Sequence, residues 1–145
     1  MIRVEVNAAA ALRRFSRLAE ESKDRTVPNR QLGIQLYGWT QRNFQQSGGL
    51  QTPAWPALAA STLKQKAKQG YSSQPLIRTG HLRQSYRPFS DNDQAGVGSE
   101  VPYSQYHETG TKNMPQRATL PPVNVALDLA LQVYDRWVAG LARQA

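Results

Sequence analysis

The chain has 145 residues, no cysteine, 18 Lys and Arg against 10 Asp and Glu, and a formal net charge of +8. That length suits one domain, residues 1-145, around a single core, and the lack of cysteine excludes a disulfide framework, a thiolate metal site and a thiol nucleophile. Met1-Ile2-Arg3-Val4-Glu5-Val6 carries charge where a signal peptide needs an apolar run. No later stretch approaches the roughly 18 apolar residues of a membrane span, so a soluble protein assembled in the cytoplasm, without a membrane partner, is expected.

Ile2, Val4 and Val6 alternate with Arg3 and Glu5, the period of a half-buried strand. Asn7 stands where a helix N-cap belongs, and Ala8, Leu12, Phe15 and Ala19 follow at helical spacing with arginines turned away. Pro28 suits the first turn of a second helix that runs to about Ser47, where Gly48-Gly49 stop it. This helix has two apolar faces, Leu32, Leu36, Trp39 and Asn43 on one and Ile34, Tyr37, Gln41 and Phe44 on the other. Either it runs through the middle of the domain or one face meets another chain.

A loop over residues 48-56 leads to a helix from Leu58 to Gln69 that ends in Lys64, Lys66 and Lys68, charges suited to the negative end of the helix dipole. Residues 70-76 are polar and expected to be mobile, after which Thr79 can cap a short helix through Leu82 and Ser85. Tyr86 to Ser90 and Gln94 to Ser99 form a hairpin about Asp91-Asn92-Asp93, whose acidic tip should face water. Tyr103 to Thr109 is a short helix ending at Gly110, and residues 111-122 are a further candidate mobile loop. The last helix carries Leu127, Leu131, Tyr134, Val138 and Leu141 on one stripe and Leu129, Val133 and Trp137 on another. The sum is an α+β fold, with long N-terminal and C-terminal helices packed on a small, mostly antiparallel β-sheet.

Enzyme chemistry finds no support in these residues. His107-Glu108 lacks the second histidine of a zinc helix; His81 and His107 are the two imidazoles of the chain, and with Glu108 they leave a two-His-one-carboxylate site as one metal option. No Gly-x-Ser-x-Gly elbow or phosphate loop is present. No catalytic, metal or cofactor-binding residue is therefore assigned. Nucleic-acid binding has more in its favour. Between Arg25 and Arg87 lie nine basic residues and no acid, interleaved with Trp39, Phe44, Trp55, Tyr71 and Tyr86, as a stacking platform on a phosphate backbone would be. No recognition module with a fixed signature accompanies them.

Four features in order carry a resemblance. A two-helix N-terminal half precedes a Trp-x-x-Leu-x-x-x-Thr element with lysines (Trp55, Leu58, Thr62, Lys64). Then come Leu-x-x-Thr-Gly-x-Leu-x-x-Ser (Leu76, Thr79, Gly80, Leu82, Ser85) and Gly-x-Gly-Ser (Gly96, Gly98, Ser99). Last are Tyr-x-x-Tyr-x-x-x-Gly-Thr and Pro-x-Arg (Tyr103, Tyr106, Gly110, Thr111, Pro115, Arg117). From Trp39 to the last helix the chain resembles the virion morphogenesis family of Mu-like phages and the related tail-completion and tail-terminator proteins. It departs from them in having Ala118-Thr119-Leu120 where the family often follows Pro-x-Arg with an aromatic–aliphatic pair.

The resemblance implies a non-enzymatic, cofactor-free structural protein of the head–tail junction, located at the neck or tail end of the virion. It also implies a homo-oligomeric ring, hexameric, with tail tube and head connector proteins as neighbours and packaged DNA in the lumen as a further contact. Ile34, Tyr37, Phe44, Trp55, Lys64, Lys66, Lys68, Arg117 and Trp137 are the expected interface residues. Thr79, Gly80, Leu82, Tyr103, Tyr106, Gly110, Thr111 and Pro115 are expected to hold the fold. Arg117 could pair with Glu108 or with a neighbouring subunit, and Tyr103 and Tyr106 could pack together on the sheet.

Overall fold

A computed structural model describes residues 3–4, 8–51 and 53–144. Of the expected N-terminal strand over Ile2 to Val6 only Arg3 and Val4 are among the described residues, exposed and without strand geometry, and the Asn7 cap lies outside them. The elements are α1 (Ala8–Glu21), α2 (Thr26–Gln45), α3 (Ala60–Lys68), α4 (His81–Ser85), β1 (Tyr86–Ser90), β2 (Ala95–Ser99), α5 (Ser104–Thr109) and α6 (Val123–Gln144). Helices around a two-stranded antiparallel hairpin make the fold α+β. Its register pairs Tyr86 with Ser99 and Phe89 with Gly96.

α2 is the central element, lying against both strands on one side and α6 on another. Pro28, in its first turn, lacks only an N–H that has no helical partner there. The two apolar faces resolve in favour of a helix through the middle. Leu36, Trp39, Thr40, Asn43 and Phe44 are all buried, while Ile34 alone of the apolar residues named for α2 remains exposed. Phe44, Trp55, Leu82 and Tyr86 make the core cluster, with Tyr37, Leu76, Ile77, Val97 and Leu120 packed around it. The Phe44 ring stands edge-on to Trp55, centroids 5.5 Å apart, and tilted against Tyr86 at 5.7 Å.

The hairpin tip faces water as expected, Asp91, Asn92 and Asp93 all being exposed, and it is also held in place. Asp91 closes it locally, its Oδ1 accepting from the N–H groups of Asp93 and Gln94, and these bonds hold its carboxyl below the ordinary range. The tip then docks on the start of α2. The Arg25 N–H donates to Asn92 Oδ1 at 2.7 Å, and the buried Asn29 amide donates to the Asp91 and Asn92 carbonyls. The Tyr134 hydroxyl of α6 donates to Asn29 Oδ1, so one buried side chain ties α2, the hairpin and α6 together. A buried polar group is tolerated where its hydrogen bonds are made, as they are here.

At α4 the N-cap is Gly80 in left-handed geometry (φ +82°), not Thr79, whose hydroxyl accepts from the His81 N–H one step outside the helix. Gly110 ends α5 at φ +72°, and a Cβ there would stand 3.0 Å from the Gln116 nitrogen, so glycine is required on two counts.

Candidate functional site

The segment with the densest sequence signature, Tyr103 to Arg117, builds a corner where α5 and residues 111–122 meet β1 and the chain before α3. Gly110 turns the chain into a tight loop closed by Thr111 and Met114, whose backbones exchange hydrogen bonds. The Arg117 N–H then donates to the His107 carbonyl at 2.9 Å. The Arg117 guanidinium is buried and donates from Nε to the Pro56 carbonyl (3.0 Å) and from Nη2 to the Ala57 carbonyl (3.1 Å). Among the described residues it makes no ion pair with Glu108. Its planar fork satisfies two consecutive backbone carbonyls that the Trp55-Pro56-Ala57 loop leaves without partners of their own.

Glu108 turns instead to the next residues along. One carboxylate oxygen accepts from the N–H and the hydroxyl of Thr119 and from the Leu120 N–H. The Thr119 hydroxyl also meets the Tyr86 hydroxyl, so Tyr86, Thr119 and Glu108 form a buried relay from β1 to α5. Burial, with the nearby Glu108 charge, pushes the Tyr86 phenol up to about 12 against the opposing Thr119 hydrogen bond. Trp55 Nε1 and Gln51 Nε2 both donate to the Ala118 carbonyl. Ala118-Thr119-Leu120 is thus densely bonded, and Leu120 packs on the core. Within residues 111–122 this set holds residues 117–120.

Tyr103 and Tyr106 do not pack on the sheet. Both are exposed, and Tyr103 meets only the His107 ring, edge-on at 6.3 Å, among the aromatic contacts. The two histidines, His81 and His107, line one groove of about 390 Å³ with Leu58, Thr62, Lys66 and Arg78, while Glu108 faces away into the relay. Among the described residues no group of His, Asp and Glu could hold a metal ion. His107 is held towards its neutral form, first by burial and then by the Arg117 charge, which outweigh Glu108. In the unfolded chain the imidazole protonates near its ordinary 6.5, so below that pH the unfolded state takes up a proton that the folded state resists. Stability is expected to fall as pH drops through 6.5, with the loss complete once the folded imidazole is protonated. Thermal midpoints measured on either side of that pH should show the slope, and His107→Gln should flatten it.

The expected interface residues fall into three groups. Phe44, Trp55 and Arg117 are buried inside the subunit and offer it no surface, and Tyr37 packs on the core. Lys66 is half-buried, its ammonium donating to the Gln74 carbonyl (2.6 Å) and the Ile77 carbonyl (3.0 Å), so it ties residues 70-76 to α3. Burial and the Arg78 charge lower its pKa. Lys66→Ala should lower stability by about 1 kcal/mol, while Lys64→Ala and Lys68→Ala, both exposed, should stay within about 0.5 kcal/mol in the same urea titration. Ile34 is exposed, and Trp137 is half-buried edge-on to Tyr134 at 5.6 Å, beside Gln31, Gln35 and Arg136.

A run of exposed apolar side chains lies elsewhere. In α6 the stripe of Leu127 (58% exposed), Leu131 (61%) and Val138 faces outward, and in α1 Leu12 (65%) and Phe15 (68%) do the same. The stripes themselves are visible in the sequence as helical spacing; which stripe the body would leave open is not. Of the aromatics that suggested a nucleic-acid platform, Trp39, Phe44, Trp55 and Tyr86 are buried, and the Arg78 guanidinium covers the Tyr71 ring at 5.0 Å. The four buried rings cannot stack on bases.

No helix among the described residues is long and apolar enough to cross a membrane. Comparison with known proteins matches residues 6–134 to the model of the phage virion morphogenesis family. The chain is also 30% identical over 113 residues to the Mu-like prophage FluMu G protein 2 of Haemophilus influenzae, covering 77% of this chain and 72% of that protein. No solved structure matches. With a family match across nearly the whole sequence and a buried corner built from the segment that carries the resemblance, the chain belongs to the phage virion morphogenesis family.

Proposed function

We propose that this virion morphogenesis protein is a non-enzymatic structural component of the phage head–tail junction. It acts as a homo-oligomeric ring, hexameric, docked between tail tube and head connector proteins at the neck end of the tail. The observation that carries this reading is the uncovered apolar face of α1 and α6, on a subunit whose polar groups with the richest hydrogen bonding serve internal bracing. Monomeric soluble proteins rarely leave so many large apolar side chains outward on adjoining helices, and ring subunits meet through heterologous contacts that close on themselves. Contact with packaged DNA in the lumen is compatible with the exposed Lys64 and Lys68, through charge alone. The buried aromatics disfavour base stacking as the principal activity.

Mass measurement on the purified protein, alone and with tail tube protein, tests the proposal. A closed oligomer of one stoichiometry that joins tails is expected. A species that stays monomeric under both conditions overturns it.

A further inference from the structure

α1 is attached differently from every other long helix. None of its residues is buried, and it meets the body at the far end of α6, where Arg14 Nη2 donates to the Ala142 carbonyl at 2.9 Å. Its apolar face is mostly uncovered, Leu12 and Phe15 being exposed and Phe15 and Leu18 bordering a groove that only Ala142 of α6 closes on the other side, and the connector at residues 23–25 that joins it to α2 is exposed. An amphipathic helix of this length gains most of its stability from what its apolar face packs on, and here the subunit supplies little. The half of α6 that α1 does not reach carries the complementary feature, the outward stripe of Leu127, Leu131 and Val138.

Resting on the ring reading above, we infer that α1 is an exchanged arm: its apolar face seats on the Leu127–Leu131–Val138 stripe of α6 in the next copy of the chain. Length fits, since Ala8 to Leu18 and Leu127 to Val138 each span about 16 Å at 1.5 Å per residue. Charge fits as well. Over the whole spans concerned, residues 8–21 hold Arg13, Arg14 and Arg17 against Glu20 and Glu21, with Arg17 paired to Glu21, and residues 127–138 hold Asp128 and Asp135 against Arg136, so the arm is net positive and the stripe net negative by one charge each. Asp128 and Asp135 are two turns apart on one flank of the stripe, and neither they nor Arg13 make an ion pair among the described residues. An arm from each copy covering the helix of the next is a heterologous contact, the kind that closes a ring. It also explains why α1 is a well-formed amphipathic helix with almost nothing of its own to cover.

The chain has no cysteine, which makes the test direct. The full-length protein carrying Phe15→Cys and Leu131→Cys together is oxidised and run denatured. Linked dimers and higher ladders are expected, each single variant stopping at or below dimer. A second variant, Leu127→Asp with Leu131→Asp, changes only exposed side chains. It should keep the helix content and thermal midpoint of the parent while raising the concentration needed for assembly about a hundredfold. Cross-links confined within single chains would mean that α1 folds back on its own α6, and would overturn the exchange. So would a ring that forms without cross-links and tolerates the double aspartate, although the ring reading would then survive. A parent protein that stays monomeric even with tail tube protein overturns both.

Discussion

Phe44→Ala is expected to lower the unfolding free energy by about 4 kcal/mol, measured by urea denaturation against the parent chain. Phe44 is fully buried and its ring is the one place where α2, the loop carrying Trp55, α4 and β1 all converge. Truncation removes the edge-on contact with Trp55 and the tilted contact with Tyr86 and leaves a cavity between them. Trp55 and Tyr86 are each anchored by a hydrogen bond of their own, Trp55 to the Ala118 carbonyl and Tyr86 to Thr119, so neither can move in to fill the space without losing it. The site therefore collapses poorly, which places the cost towards the upper part of the range for such changes. Against a typical total of roughly 5–15 kcal/mol, a loss of that size should leave much less folded subunit for assembly.

The second large effect is expected at Glu108. Glu108→Ala should cost about 3 kcal/mol, because it strands the Thr119 N–H and hydroxyl and the Leu120 N–H in a buried corner. Glu108→Gln keeps a carbonyl oxygen in the same place and should recover more than half of that loss, though with a weaker acceptor than a carboxylate. Thr119→Val, which removes only the hydroxyl, should fall between the parent and Glu108→Ala. It should also let the Tyr86 phenol, now without the hydrogen bond that opposes its upward shift, titrate higher still in an ultraviolet pH titration. A Glu108→Ala protein as stable as the parent would show that the corner does not brace the fold.

Much of the fold was legible because it rests on local pattern. The spans of α2, α5, α6 and the hairpin follow from the 3.6 and 2.0 periods and from glycine stops, and the positions of Gly80 and Gly110 follow from where the chain must turn left-handed. What the pattern does not encode is the long-range partner. Arg117 bonds carbonyls sixty residues away, and a guanidinium looks the same in sequence whether it faces a carboxylate, a backbone or a neighbouring subunit. Glu108 was legible as half of a His-Glu pair and as a partner for Arg117, yet its role is set by Thr119 and Leu120. Wide apolar arcs are equally ambiguous. On α2 they mean a helix packed from both sides, whereas on α6 they mean one face on α2 and another left open. Tyr103 caps α5 and Tyr106 lies within it, and both are exposed.

The uncovered helices, rather than the motif-rich corner, are therefore where this protein is expected to meet its neighbours, with the corner holding the subunit in the shape they need. Electron microscopy of particles made by a phage lacking this chain tests that role most directly. The account predicts full or empty heads and finished or overlong tails lying apart, rejoined when the parent chain is supplied and not when the Leu127→Asp, Leu131→Asp variant is supplied. Normal joined virions in its absence would contradict it.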